Sequence, residues 1–111
     1  MKVHIALVGG QNEPVVNGID FSKPDVVYLI HSADTLNNTR LIEKEVTQKC
    51  ILKLFEPTNL SSIYSSIADL KKELSDDDTI SLNLTSGTKH WSVAFLDSFR
   101  DLKKASIIMV D

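Results

Sequence analysis

Apolar residues fall either into short β-rich runs or into positions spaced three and four apart, which predicts strands alternating with helices. The first run, Val3–Val8, begins almost at the first residue and is typical of a strand buried on both faces. Four further strands are predicted at Asp25–His31, Cys50–Phe55, Thr79–Leu84 and Ala105–Val110.

Helices are predicted between these strands. A short helix begins near Pro14, because proline suits the first helical turn and Asn12 suits the cap. The polar stretch Thr35–Lys49 predicts a solvent-facing helix with a narrow apolar stripe. A third helix, capped by Asn59 or Ser61, carries apolar residues at helical spacing, namely Leu60, Ile63, Ile67, Leu70 and Leu74. The last helix runs to Lys104 and buries Trp91, Phe95, Phe99 and Leu102.

Five strands alternating with four helices predict a Rossmann-like, doubly wound α/β fold, with a mainly parallel five-stranded sheet and helices on both faces. The length of 111 residues suits one domain, 1–111. In the common Rossmann order the first and fourth strands are neighbours, and ligands bind beyond their C-terminal ends. The turns Gly9-Gly10 and Thr85–Lys89 follow these two strands, so both are expected at one crevice.

The turn Thr85–Lys89 joins the fourth strand to the last helix and predicts a phosphate site. Free backbone N–H groups and the positive end of the helix dipole favour an anion there, and Gly87 lets a ligand approach the backbone. Lys89 adds a positive charge, and hydroxyl donors come from Thr85, Ser86 and Thr88. Alternatively, Thr85–Lys89 is only a capped helix start with an exposed lysine. Gly9-Gly10 would then be only a tight turn between strand and helix. The pairing of both turns at the crevice favours a ligand site.

Other chemistries lack the residues they need. Gly9-Gly10 lacks the later glycine of the G-x-G-x-x-G fingerprint, so a dinucleotide cofactor is not expected. Gly87-Thr88-Lys89 lacks the glycine spacing of a Walker motif, so a nucleoside triphosphatase is not expected either. His4, His31 and His90 have no metal-like spacing, and Ser75–Asp78 is typical of a solvated turn. His4 is predicted to be structural, whereas His31 and His90 are expected near the crevice. No metal and no cofactor are expected.

Composition narrows the partners and the compartment. The net charge of -3 argues against binding to long nucleic acid, which depends on neutralising many phosphates. Cys50 is the single cysteine and is predicted to be a reduced core residue. No apolar run approaches the ~20 residues that cross a bilayer, so no membrane partner is expected and a cytoplasmic protein is predicted.

Three segments together carry a family resemblance: Val8–Val16 after the first strand, Lys23–Ile30 around the second, and Leu82–Lys89 around the fourth. They resemble the CRISPR-associated Rossmann-fold (CARF) domains of type III CRISPR defence. The asparagine, threonine, glycine, threonine, lysine pattern is the most specific part. Ser86 departs from the pattern, since the family often has a second glycine there. The chain is also shorter than most members, as an isolated sensor fragment or a small standalone member would be.

The resemblance implies a ligand and an assembly. CARF domains bind cyclic oligoadenylates at a homodimer interface and act on a fused or separate effector. By this resemblance Thr88, Lys89 and the backbone around Ser86 and Gly87 hold phosphate and ribose oxygens. The adenine or ribose side is lined by Gly9, Gly10, Gln11, Asn12 and Glu13, and Ser32 lies near the ligand.

Three functions stay open. The first is a sensor domain that binds a cyclic oligoadenylate, with cyclic tetra-adenylate as the expected ring. The second is a standalone, metal-independent ring nuclease that leaves linear products with a 2′,3′-cyclic phosphate. In that enzyme Lys89 would stabilise the developing charge, and the ribose hydroxyl would be oriented by Thr88, Ser86, Ser32 or His31. The third is another nucleotide-binding α/β domain.

Overall fold

The computed structural model describes residues 1–109, which contain one parallel sheet. Its strands in chain order are β1 (Lys2–Leu7), β2 (Val26–His31), β3 (Lys49–Leu54), β4 (Thr79–Asn83) and β5 (Ala105–Ile108). They lie in the order β3-β2-β1-β4-β5, and every neighbouring pair is parallel. The predicted adjacency of the first and fourth strands is therefore confirmed.

Helices cover both faces of the sheet. They are α1 (Glu13–Ser22), α2 (Leu36–Glu45), α3 (Leu60–Lys71) and α4 (Lys89–Phe99). Alternate residues of a strand point to opposite faces, so Ala6 packs with α1 and α2 while Ile5 and Leu7 pack with α3 and α4. The doubly wound α/β class predicted from the sequence is confirmed.

Two helix ends were predicted too far along the chain. The second helix was expected to reach Lys49, but α2 ends at Glu45, and Val46 is extended while its amide bonds the carbonyl of Ile42. The last helix was expected to reach Lys104, but α4 ends at Phe99. In both cases an apolar residue beyond the helix end, Val46 or Leu102, continues the helical spacing of the sequence. The predicted end of the fifth strand at Val110 lies outside the described residues.

Cys50 lies on β3, one of the two edge strands of the sheet in residues 1–109, and is half-buried rather than fully enclosed. It packs against the core beneath α1 and α2 and is a free thiol. Burial raises the pKa of this thiol, and the nearby Glu43 acts in the same direction. Cys50 therefore stays protonated and serves packing, as predicted.

Candidate functional site

The two glycine-containing turns lie in contact, as the sequence predicts. Ala6 on β1 pairs with Asn83 on β4, so the C-terminal ends of these two parallel strands lie side by side. A Cβ atom placed on Gly9 would come within 2.9 Å of the Gly87 backbone nitrogen and 3.4 Å of the Ser86 Cβ. The turns after β1 and β4 thus form one continuous surface at the crevice.

Gly87 is required by the backbone and by the core beneath it. Its φ is +85°, a region that favours glycine. A Cβ there would lie 2.8 Å from Leu7 Cβ and 2.9 Å from Trp91 Cε3. Packing accounts for this glycine without any ligand, which the sequence-based prediction did not anticipate.

Thr88 caps α4. Its Oγ1 accepts a hydrogen bond from the Trp91 backbone N–H at 3.1 Å, so the hydroxyl hydrogen points elsewhere. Lys89 is the first residue of α4 and is exposed, and the first turn carries no acidic residue that would neutralise the helix dipole. The capped helix start predicted as the structural alternative is present. Its positive end is open to solvent.

Some amides of the turn are occupied and others are not. The Thr85 N–H donates to Asn83 Oδ1 at 3.1 Å, so it does not serve an anion in this structure. The amides of Ser86, Gly87 and Lys89 form no hydrogen bond within residues 1–109. Those three N–H groups, together with the Lys89 ammonium, are the donors that an anion would meet.

The turn after β1 is held by its neighbours. Asn38 on α2 donates through Nδ2 to the Gly9 carbonyl at 3.1 Å. No other part of the described chain lies within 4 Å of a Cβ placed on Gly10, so this position is open to solvent. Gln11 and Glu13 are also exposed. The Gly9 end of this turn is therefore held by α2, whereas Gly10 and Gln11 are open to solvent.

Asn12 occupies the cap position of α1 but does not cap with its side chain, which corrects the predicted role. Its carbonyl accepts from the amides of Val15 and Val16, at 3.1 and 3.0 Å. Its side-chain Oδ1 is buried and has no hydrogen-bond partner. A buried acceptor without a partner is costly, so Asn12 Oδ1 is an acceptor in need of a donor.

His31 and Ser32 lie at the end of β2 and are held mainly by local bonds. His31 Nδ1 lies 2.9 Å from the Ser32 carbonyl, which can only accept, so Nδ1 carries the proton. The Ser32 N–H donates to Thr35 Oγ1 at 3.0 Å. No hydrogen bond links this pair to Thr85–Lys89 within the described residues. The structure thus places them at the end of β2, next to the end of β1, where Leu7 pairs with Ile30.

His4 is structural, as predicted. It is fully buried in β1, and its Nδ1 lies 2.6 Å from Ser81 Oγ and 3.3 Å from Ser22 Oγ. Its Nε2 is buried without a hydrogen-bond partner. Burial lowers the pKa of His4 to about 4, because the interior disfavours the charged imidazolium.

Two residues near the turns were given no individual role by the sequence analysis. Asn83, the asparagine of the family pattern, is 1% exposed, and its amide bonds the Thr85 N–H in the second turn and the Pro14 carbonyl at the start of α1. A polar residue ending an apolar strand was the signal for this role. Glu56 accepts from the amides of Asn59 and Thr58, and its carbonyl accepts from Trp91 Nε1 at 2.8 Å. The Asn59 bond is the main cause that lowers the pKa of Glu56, with a smaller contribution from the exposed His90. No sequence motif marks Glu56.

No helix in residues 1–109 is long and apolar enough to cross a bilayer. Within the same range, no group of three or more His, Cys, Asp or Glu side chains is arranged to hold a metal ion.

Comparison with known proteins identifies a family and structural relatives. A family model described as the Card1 CARF domain matches residues 3–110. Can2 from Sulfobacillus thermosulfidooxidans, solved in complex with cyclic tetra-adenylate, superposes with a TM-score of 0.86 at 21% identity, covering 100% of this chain and 32% of Can2. Protein VC1899 from Vibrio cholerae also gives 0.86, at 14% identity, covering 99% of this chain and 30% of VC1899.

The two relatives are much longer than this chain, which spans about a third of each. At these identities the likeness establishes the fold alone. No curated protein matches the chain in sequence.

Proposed function

The chain belongs to the CARF domain family, and on that premise we propose that it binds a cyclic oligoadenylate, with cyclic tetra-adenylate as the ring. The observation that carries the proposal is the contact between the turns after β1 and β4, with Lys89 at the start of α4. The complex of Can2 with cyclic tetra-adenylate supports the choice of ring. Residues 1–111 would form the ligand-binding domain of a cytoplasmic CRISPR sensor.

The phosphate is assigned to the Thr85–Lys89 turn. The amides of Ser86, Gly87 and Lys89 have no other partner within residues 1–109, and the helix dipole adds a partial positive charge. The Lys89 ammonium would add a charge-assisted hydrogen bond. Because Thr88 Oγ1 already accepts from the Trp91 amide, its own O–H is available to donate to a phosphate oxygen.

The nucleoside is assigned to the Gly9–Glu13 turn. Gly10 leaves open space there, which would admit a base or a ribose. Asn12 Oδ1 lacks a donor, and a rotation toward the crevice would let it accept from an adenine amino group or a ribose hydroxyl. The exposed Gln11 supplies a second polar side chain at the same turn.

A homodimer would let one symmetric ring meet both turns twice, because an isologous interface repeats the same groups around a two-fold axis. The outer side of α4 supports such an interface. Val93 and Leu96 are 60% and 46% exposed on the helix that Lys89 begins. Pairing α4 with its copy would place two Lys89 turns at one ring. A fused or separate effector would respond to the resulting change in dimer geometry.

A metal-independent ring nuclease is the second candidate, favoured by the geometry of His31. With the proton on Nδ1, Nε2 is left as an acceptor at the end of β2. It would take the proton of a ribose 2′-hydroxyl as that oxygen bonds to the adjacent phosphorus. The bond from phosphorus to the 5′ oxygen then breaks, that oxygen takes a proton from water, and His31 releases its added proton to solvent. Lys89 would stabilise the charge on the phosphorane.

Incubation of the purified protein with labelled cyclic tetra-adenylate and cyclic hexa-adenylate tests both candidates. Retention of an intact ring supports the sensor, with the tetra-adenylate preferred. Linear products ending in a 2′,3′-cyclic phosphate support the nuclease, and His31→Gln should then abolish cleavage while leaving binding. Absence of binding to either ring at micromolar protein would contradict both.

A further inference from the structure

Asn83, the last residue of β4, links the turn after β4 to the first turn of α1, the helix that follows the turn after β1. Its side chain is 1% exposed, and both ends of its amide are bonded. Oδ1 accepts from the Thr85 N–H at 3.1 Å, and Nδ2 donates to the Pro14 carbonyl at 3.0 Å. Thr85 begins one turn and Pro14 directly follows the other, so one buried amide joins the start of the second turn to the helix residue that ends the first.

Helix α1 makes room for this amide. A Cβ atom on Gly18 would lie only 2.4 Å from Asn83 Nδ2 and 3.3 Å from its Cγ. A glycine inside a helix costs about 1 kcal/mol relative to alanine. The sequence therefore carries a poor helix former at the position where α1 meets Asn83.

We propose that Asn83 is a positioning residue that fixes the spacing between the phosphate turn Thr85–Lys89 and the nucleoside turn Gly9–Glu13. This inference rests on the proposed function. A ring that contacts both turns binds most tightly when their separation is set before the ligand arrives, because less ordering remains to be done. The two hydrogen bonds of Asn83 set that separation without touching the ligand.

Two substitutions cut the connection in different ways. Asn83→Asp keeps an acceptor for the Thr85 N–H but removes the donor to the Pro14 carbonyl. Gly18→Ala leaves Asn83 unchanged and pushes its amide aside, while the added methyl group favours the helix. Ile67→Val is the matched control. Ile67 is fully buried in α3, on the face of the sheet opposite α1, so its substitution lowers stability without changing the turns.

Changes in ligand affinity among these variants should not follow changes in folding stability. Titration with cyclic tetra-adenylate, at a temperature where every variant is folded, is expected to show at least about tenfold weaker binding for Asn83→Asp and Gly18→Ala. Ile67→Val should bind within about twofold of the wild type although it unfolds at lower denaturant. Wild-type affinity in both of the first two variants would overturn the inference.

Hydrogen exchange of the Thr85 amide, measured without ligand, separates this inference from the proposed function. The amide should exchange slowly in the wild type and in Asn83→Asp, which keeps the acceptor, and at least about tenfold faster in Gly18→Ala, which displaces it. If the wild type binds no ring, the proposed function fails. The exchange rates still test whether the Asn83 side chain holds the Thr85 turn. Equal exchange in all four proteins would overturn the inference.

Discussion

The backbone nitrogen of Gly87 lies so close to Gly9 that a Cβ atom on Gly9 would come within 2.9 Å of it. Residues 78 positions apart in the chain thus form one surface, because β1 and β4 are neighbours that end together. An anion at the Ser86 and Gly87 amides would also face the turn that follows β1.

Gly9→Ala should destabilise the protein and Gly10→Ala should not. The added methyl group on Gly9 meets rigid backbone, which costs about 1–3 kcal/mol, whereas the same group on Gly10 enters open space. Urea unfolding of both variants gives the comparison. Equal midpoints for Gly9→Ala and Gly10→Ala would show that the turns are not in contact.

Gly87→Ala should be more damaging than Gly9→Ala. It combines an unfavourable positive φ with close contacts to Leu7 and Trp91, for a loss of about 2–4 kcal/mol. Trp91 is the single tryptophan, so its fluorescence reports both the unfolding and any shift of the ring. A variant with wild-type stability and an unchanged emission maximum would contradict the described packing.

Thr88→Ala should lower the free energy of unfolding by about 1 kcal/mol, because α4 loses the hydrogen bond to the Trp91 amide. Thr88→Ser keeps the oxygen in place and is the matched control. Chemical denaturation of the three proteins measures the difference. A serine variant as unstable as the alanine variant would assign the role of Thr88 to its methyl group instead.

Stability should fall in acid through His4. Its folded pKa, lowered to about 4 by burial, lies below the unfolded value near 6.5, so the neutral form is favoured in the folded state. The stabilisation is complete above the unfolded pKa and is lost as the pH falls from about 6.5 toward 4, by about 3 kcal/mol in total. Unfolding free energies measured across this range in wild type and His4→Gln test it. Parallel curves for the two proteins would contradict the assignment.

The sequence predicted the elements and their order because its apolar runs are distinct and strongly periodic. Helix ends were harder to predict, since Val46 and Leu102 continue the helical spacing while lying beyond the helices. Asn83 was part of the family pattern, but its role was not predicted, because its partner, the Pro14 carbonyl, is 69 residues away and meets it only after α1 packs on the sheet. Asn12 was predicted to cap α1, but a side-chain rotamer decides that role and sequence spacing does not fix it.

Calorimetric titration of cyclic tetra-adenylate into wild type, Lys89→Ala and Lys103→Ala tests the proposed site most directly. Lys103 is exposed just before β5, at the N-terminal end of the parallel strands, whereas the turns lie at their C-terminal end. Its loss should therefore leave the affinity unchanged. Lys89→Ala should weaken binding by about 1.5–3 kcal/mol, the scale of a lost charge-assisted hydrogen bond. Micromolar or tighter binding by the wild type, with that selective loss, is the predicted result. Equal affinity in wild type and Lys89→Ala, or no binding by the wild type, would contradict it.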